Sequence, residues 1–213
     1  MPDLPRWRAS GHNDLAGLPH EQKFDAIIVD EAQDFADDWW TPLLGSLRDE
    51  ETGGLFAYSD ERQRVFARFG RPPVQLVPLV LDHNLRNTKQ IASTFVPLAP
   101  TGMELRGGDG PQVTFVPTNS ADALEVADDQ VEALFDEGWN PGDIFYGHVL
   151  GFKGMERRAV VLCVNESGTR DRAAERLYVG LSRATDRLEV VGDPDVITTM
   201  GGPEFYRRMG VNA

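Results

Sequence analysis

Two neighbouring carboxylates, Asp30 and Glu31, close the apolar run Phe24-Asp25-Ala26-Ile27-Ile28-Val29. A continuous apolar run ending in acid reads as a buried parallel strand. Ligands of α/β sheets sit at the carboxyl ends of such strands. An acid pair placed there suits one carboxylate on a magnesium ion and a second that activates a water, as phosphoryl transfer requires; solvated loop acids are the plain alternative. Other chemistries find little support. Cys163, the single cysteine, lies in the strand-like stretch VVLCVN and reads as a small core hydrophobe rather than a nucleophile. His12, His20, His83 and His148 have no ligand-like spacing with it, which argues against zinc.

The elements that must hold these residues alternate along the chain. After the first strand (24–30), a helix is expected over Asp37–Leu47, capped by Asp37 or Asp38, with Trp39, Trp40, Leu43, Leu44 and Leu47 on its apolar face. A second strand reads over 54–60. Arg71-Pro72-Pro73 resembles a hinge, since proline interrupts both helix and sheet. Beyond it come a strand over Gln75–Leu81, a helix over Thr88–Val96, a glycine-rich turn at 106–111 and the strand 112–117. A helix over Ala121–Glu137, a strand over 158–165, a helix over Arg172–Ala184 and a strand over 187–193 complete the series. Strands alternating with helices predict an α/β fold with a mostly parallel sheet. The break near 70–75 predicts two domains, 1–73 and 74–213.

Five stretches, in order, resemble the motifs of superfamily 1 helicases of the UvrD/Rep type. Asp30-Glu31-Ala32-Gln33-Asp34-Phe35 resembles motif II, the Walker B motif. Tyr58-Ser59-Asp60-Glu61-Arg62-Gln63 resembles motif III, with Ser59 in place of the usual glycine. Asn84-Leu85-Arg86-Asn87-Thr88 resembles the core of motif IV, Gly151-Phe152-Lys153-Gly154-Met155-Glu156 motif V, and Leu177-Tyr178-Val179-Gly180-Leu181-Ser182-Arg183-Ala184 motif VI. The resemblance implies RecA-like P-loop NTPase architecture with parallel sheets, the first RecA-like domain truncated and the second near complete. It implies roles residue by residue. Asp30 would hold magnesium, and Glu31 would orient and deprotonate the attacking water. Gln63 would sense the γ-phosphate of ATP. Arg86 and Arg183 would contact that phosphate as arginine fingers, a role that suits a planar, permanently charged guanidinium fork better than an ammonium; a surface ion pair is the alternative for each. Glu156 would bond the ribose, while Lys153 and Gly154 would shape the turn between nucleotide and DNA. Single-stranded or duplex DNA is the implied partner.

One motif is absent. A working helicase of this type needs the phosphate loop G-x-x-x-x-G-K-[ST], whose amides and lysine cradle the β- and γ-phosphates. Lys23, Lys89 and Lys153 are the only lysines, and none follows a glycine or precedes serine or threonine. The chain is therefore expected to be a truncated helicase module that does not hydrolyse ATP alone. A further chain could supply the loop. The stretch from Thr88 to Gly151 is also too short for the large inserted subdomain of that family, and His148 stands out of register with motif V. The alternative is a non-catalytic protein- or DNA-docking module derived from a helicase core. A phosphatase or nuclease using Asp30, Glu31 and Asp34 is a third reading, disfavoured by the motif order.

Charge and composition bound these readings. With 213 residues and a net charge of −13, the protein is unsuited to coating nucleic acid without specificity, which needs a basic face. A local excess exists within 151–190, where Lys153 and seven arginines face six acids. Trp39, Trp40, Phe66 and Tyr178 could stack on bases, though core packing is the simpler reading of each. No apolar run reaches membrane-spanning length. The lone cysteine and the absence of a signal-like N-terminus suit a reducing cytoplasm.

Overall fold

The apolar run before Asp30 forms strand β1 (Ala26–Val29), and a second run forms β2 (Gly54–Ala57). In this computed structural model, which describes residues 15, 17–60, 63, 70–99, 102–145, 149–165 and 172–209, the chain divides into two compact units, Met1–Leu79 and Val80–Ala213. In the first unit β1 and β2 pair in parallel, Ile28 opposite Phe56. Between them runs helix α1 (Asp37–Leu44), shorter than the expected 37–47 because the chain turns at Gly45. Ala36, not Asp37 or Asp38, is its N-cap residue; the Asp37 carboxylate instead accepts from the Arg71 amide at 3.0 Å. Ile27, Val29, Ala32, Trp40 and Leu47 form a small core, flanked by Phe35, Leu43 and Leu55. Phe35 meets Trp39 edge-on at 5.4 Å and Trp40 at 5.0 Å, so both tryptophans serve packing.

The second unit carries β3 (His83–Asn84), α2 (Lys89–Phe95), β4 (Glu104–Leu105), β5 (Thr114–Pro117), α3 (Ala123–Asp136) and β6 (Ile144–Phe145). Strand β7 (Arg157–Val164), α4 (Ala173–Leu181), β8 (Ala184–Gly192) and α5 (Pro194–Arg208) follow. Its main sheet has the order β5-β8-β7-β6, with every pair parallel. The α/β architecture with parallel sheets expected from the alternation is present. Leu134 of α3 packs with Ile144 and Ala159 in one cluster. A larger core gathers Ile91 and Phe95 of α2, Leu177 and Leu181 of α4, Ile197 and Phe205 of α5, and Val160, Leu162 and Val190 of the sheet.

Two further expectations fail, and one helix was not foreseen. No strand spans the described residues 75–81: Pro78 cannot donate to a ladder, and Val77 and Leu81 are 94% and 77% exposed. Helix α4 stops at Leu181 rather than Ala184, because Ala184 already opens β8. Helix α5 was not expected at all, although Asp193 before Pro194 is a sound start signal. The Asp193 carboxylate accepts from the Asp195 amide at 2.8 Å. Cys163 is half-buried and lines an apolar cavity of about 380 Å³ with Leu124, Phe145, Phe152 and Met200; burial, then the Asp128 charge, pushes its thiol pKa up. Among the described residues no helix is long and apolar enough to cross a membrane. Glu61, Arg62, Phe66 and His148 lie outside the described residues.

Candidate functional site

At the carboxyl ends of β1 and β2 the chain breaks out of the ladder in a defined way. The Ala32 amide donates to the Tyr58 carbonyl at 2.8 Å, and the Tyr58 amide to the Val29 carbonyl at 2.8 Å. These bonds hold the loop after β1 against the end of β2. Glu31, between them, adopts a left-handed conformation, φ 52° and ψ 40°. Non-glycine residues rarely sit there, and such strain persists only where neighbours over-determine it. The neighbour here is Gln33, 2% exposed. Its side-chain amide donates to the Glu31 carboxylate at 2.6 Å, and its carbonyl accepts from the Asp60 amide at 3.0 Å. The Gln63 side-chain amide in turn donates to the Asp60 carboxylate at 2.8 Å. Glu31, Gln33, Asp60 and Gln63 are thus joined in one chain of bonds, and exposed Asp30 accepts from the Glu31 amide at 2.9 Å. Gln33 and Asp60 were not singled out in the sequence, although both lie inside motif-like strings. A glutamine set between Glu31 and Asp34 just after an apolar run was the available signal.

The second unit brings the other predicted residues together at the amino ends of β7 and β8. Asn87, 2% exposed, is the clasp. Its side-chain amide donates to the carbonyls of Ser182 (3.1 Å) and Ala184 (2.6 Å), while its carbonyl accepts from Asn84 at 2.9 Å. The Thr88 amide adds a bond to the Thr185 carbonyl at 3.1 Å. The loop carrying Arg86 is therefore tied to the turn carrying Arg183. On another side of the same loop Gly107 packs closely, since a Cβ there would stand 1.9 Å from the Asn87 backbone carbonyl oxygen.

The two arginines differ. Arg183 is 1% exposed, not a surface ion pair. Its Nε donates to the Val179 carbonyl at 3.0 Å, Nη2 to the Ser182 hydroxyl at 2.9 Å and Nη1 to the Met155 carbonyl at 3.3 Å. Arg86 is half-exposed and paired through Nε with Glu156 at 2.8 Å. The turn 153–156 thus supplies an acceptor to each arginine. Gly154 makes that turn with φ +79°, in open space. Gly154→Ala is expected to lower stability by about 1 kcal/mol through backbone strain alone, read as a shifted urea midpoint with an unchanged m-value.

No protein-family model matches the chain, and no curated protein matches it. Among solved structures it is similar to one of the PRRSV helicase, with 17% identity over 79% of this chain and 34% of that one, at a TM-score of 0.49. It is also similar to a crystal structure of PRRSV nsp10 (helicase), with 14% identity over 76% of this chain and 35% of that one, at a TM-score of 0.31. The chain spans about a third of the length of each.

Proposed function

We propose that this protein is a module of an ATP-dependent DNA helicase or translocase of the UvrD/Rep type that does not hydrolyse ATP on its own. The bonded set Glu31–Gln33–Asp60–Gln63 at the ends of two parallel strands is the observation that carries this reading. A carboxylate held in a strained, fixed pose by a buried amide suits a base that must be aimed at one water. Asp30 and Glu31 offer the hard oxygen donors that magnesium takes, one or two carboxylates beside substrate phosphates. Magnesium, when bound, would neutralise charge on those phosphates. The residues present do not make a phosphate cradle, because no glycine-rich loop with its lysine exists in the sequence. In this reading Gln63, Arg86 and Arg183 belong to γ-phosphate recognition, and Lys153, Gly154 and Glu156 to the nucleotide's edge. Arg86 and Glu156 must part for Glu156 to reach a ribose. DNA and a loop-supplying chain are the partners.

A docking module is the second reading, and the burial of Arg183 among backbone carbonyls favours it, since that arginine already has a structural task.

Calorimetric titration of magnesium and a non-hydrolysable ATP analogue into the chain, with and without single-stranded DNA, tests the proposal. No saturable heat up to about 1 mM nucleotide is expected. Binding tighter than about 100 µM, near −5.5 kcal/mol, that Asp30→Asn and Arg86→Ala abolish would place the nucleotide as proposed, and phosphate release from ATP itself by the same chain would then overturn the inability to hydrolyse it alone. The same affinity untouched by either change would overturn the assignment of residues.

A further inference from the structure

The main sheet of the second unit ends on an unequal pair. Strand β7 runs to Val164, whereas β6 pairs only Ile144 and Phe145 with Ala159 and Val160. Among the described residues no strand lies beside 161–164 on that side. Half of β7 is thus an open edge, whose backbone groups can template another strand. The cavity of about 380 Å³ lies along this edge. Leu124, Ala127 and Val131 of α3 line it from one face of the sheet, and Leu177, Gly180 and Met200 of α4 and α5 from the other. Phe145, stacked on Phe152 at 3.6 Å, stands where β6 stops. The helices on both faces therefore reach past the edge of β7, leaving an apolar slot in line with β6.

Such a slot accepts a narrow class of occupant. Its edge asks for an extended backbone, and its two walls ask for apolar side chains on both faces of that backbone. The chain carries a segment of this kind in Leu76-Val77-Pro78-Leu79-Val80-Leu81. It forms no strand, and Val77, Leu79, Val80 and Leu81 are 94%, 86%, 76% and 77% exposed. In an extended backbone Leu76, Pro78 and Val80 fall on one face and Val77, Leu79 and Leu81 on the other. Pro78 bars the segment from a central strand but suits it to an edge, where the missing N–H turns outward. Lengths also agree: six extended residues span about 20 Å, and 161–165 about 16 Å.

We propose that the slot takes residues 76–81 of a second copy of this chain as an added edge strand beside β7. The inference rests on the second unit's sheet and this segment, and is independent of whether nucleotide binds. Charge opposes the association, since each copy carries a net −13. Salt screens that repulsion, to about 8 Å at physiological strength, and leaves the apolar insertion in place. Association should therefore tighten as salt rises.

Sedimentation equilibrium of the full chain, from about 1 to 200 µM in 0.15 and 0.5 M sodium chloride, is the test. A mass that rises with concentration, more so at the higher salt, is expected. Val77→Asp and Leu79→Asp should each weaken association about tenfold or more. Both side chains are exposed, so the variants should keep the far-UV circular dichroism of the parent, and if one does not fold the other carries the test. Cys163, the single cysteine and half-buried on the slot wall, reports occupancy. Its alkylation by N-ethylmaleimide, read by mass spectrometry, should slow about threefold or more at associating concentrations, and Leu79→Asp should restore the rate. The proposal is overturned if the chain stays monomeric at 200 µM in 0.5 M salt, or if both aspartate variants associate as the parent does. Association that leaves the Cys163 rate unchanged overturns it too, since another surface is then the interface. So does protection that Leu79→Asp relieves equally at every concentration, because the segment then comes from the same copy.

Discussion

Replacing Arg183 by methionine is expected to destabilise the protein by about 3 kcal/mol or more. Methionine keeps an unbranched apolar stem but removes the guanidinium. The carbonyls of Val179 and Met155 and the hydroxyl of Ser182 then lose donors at a site where water does not replace them, Arg183 being 1% exposed. Lysine should rescue little, because one ammonium cannot reproduce a planar fork reaching three acceptors on different segments. A urea titration followed by circular dichroism reads the effect. An unchanged midpoint would show that the guanidinium does not hold the turn between α4 and β8. The result bears on function, since a loss of nucleotide or DNA binding in an Arg183 variant would mix unfolding with chemistry. Arg86 is the cleaner probe. Its bond to Glu156 is half-exposed, and exposed pairs contribute about 0–1 kcal/mol, so Arg86→Ala should fold normally and report recognition alone.

Trp40→Ala is expected to cost about 3–5 kcal/mol, which the first unit is poorly placed to absorb. Trp40 is fully buried, and among the described residues the core around it has four other buried apolar residues, Ile27, Val29, Ala32 and Leu47. A core so small leaves little reserve. Trp40→Phe should be far milder, at about 1.5 kcal/mol or less, because the indole Nε1 makes no hydrogen bond in the fold and phenylalanine therefore loses none. The ring would still meet Phe35, now 5.0 Å away. Limited proteolysis checks both: the alanine variant should be cut rapidly within 24–58, and the phenylalanine variant at nearly the parent rate. Equal rates for all three proteins would show that Trp40 is not the keystone of this unit.

Local pattern made most of the elements legible. The apolar runs at 26–29, 54–57 and 157–164 are strands, and the helices at 37–44, 89–95, 123–136 and 173–181 fall within or close to the expected spans. The failures have physical causes. Residues 75–81 carry strand-like side chains, but Pro78 denies the ladder and no strand among the described residues pairs with them. The start of β8 was hidden because Ser182, Arg183 and Ala184 sit within a helix-like period, and it is the Asn87 side chain, 95 and 97 residues away, that holds the tight turn there. Helix α5 was missed for its weak amphipathicity and its break at Gly202 and Pro203, despite its clear start at Asp193-Pro194.

The candidate site divides the same way. That acids would stand at the end of an apolar strand follows from residue type and local periodicity, which act over a few residues, but the strand is not buried on both faces as expected, Ile28 being 68% exposed; the turn at Lys153 and Gly154 follows only from the helicase resemblance. The tertiary structure alone decided that Gln33 would bridge Glu31 to Asp60, that Glu156 would be engaged by Arg86, and that Arg183 would be buried. It also decided that Ile28 and Phe56, apolar partners across the β1–β2 pair, would be more than half exposed. Each of these depends on which backbone groups or side chains of distant segments come within about 3 Å of one another. A sequence read along its length has no term for that distance.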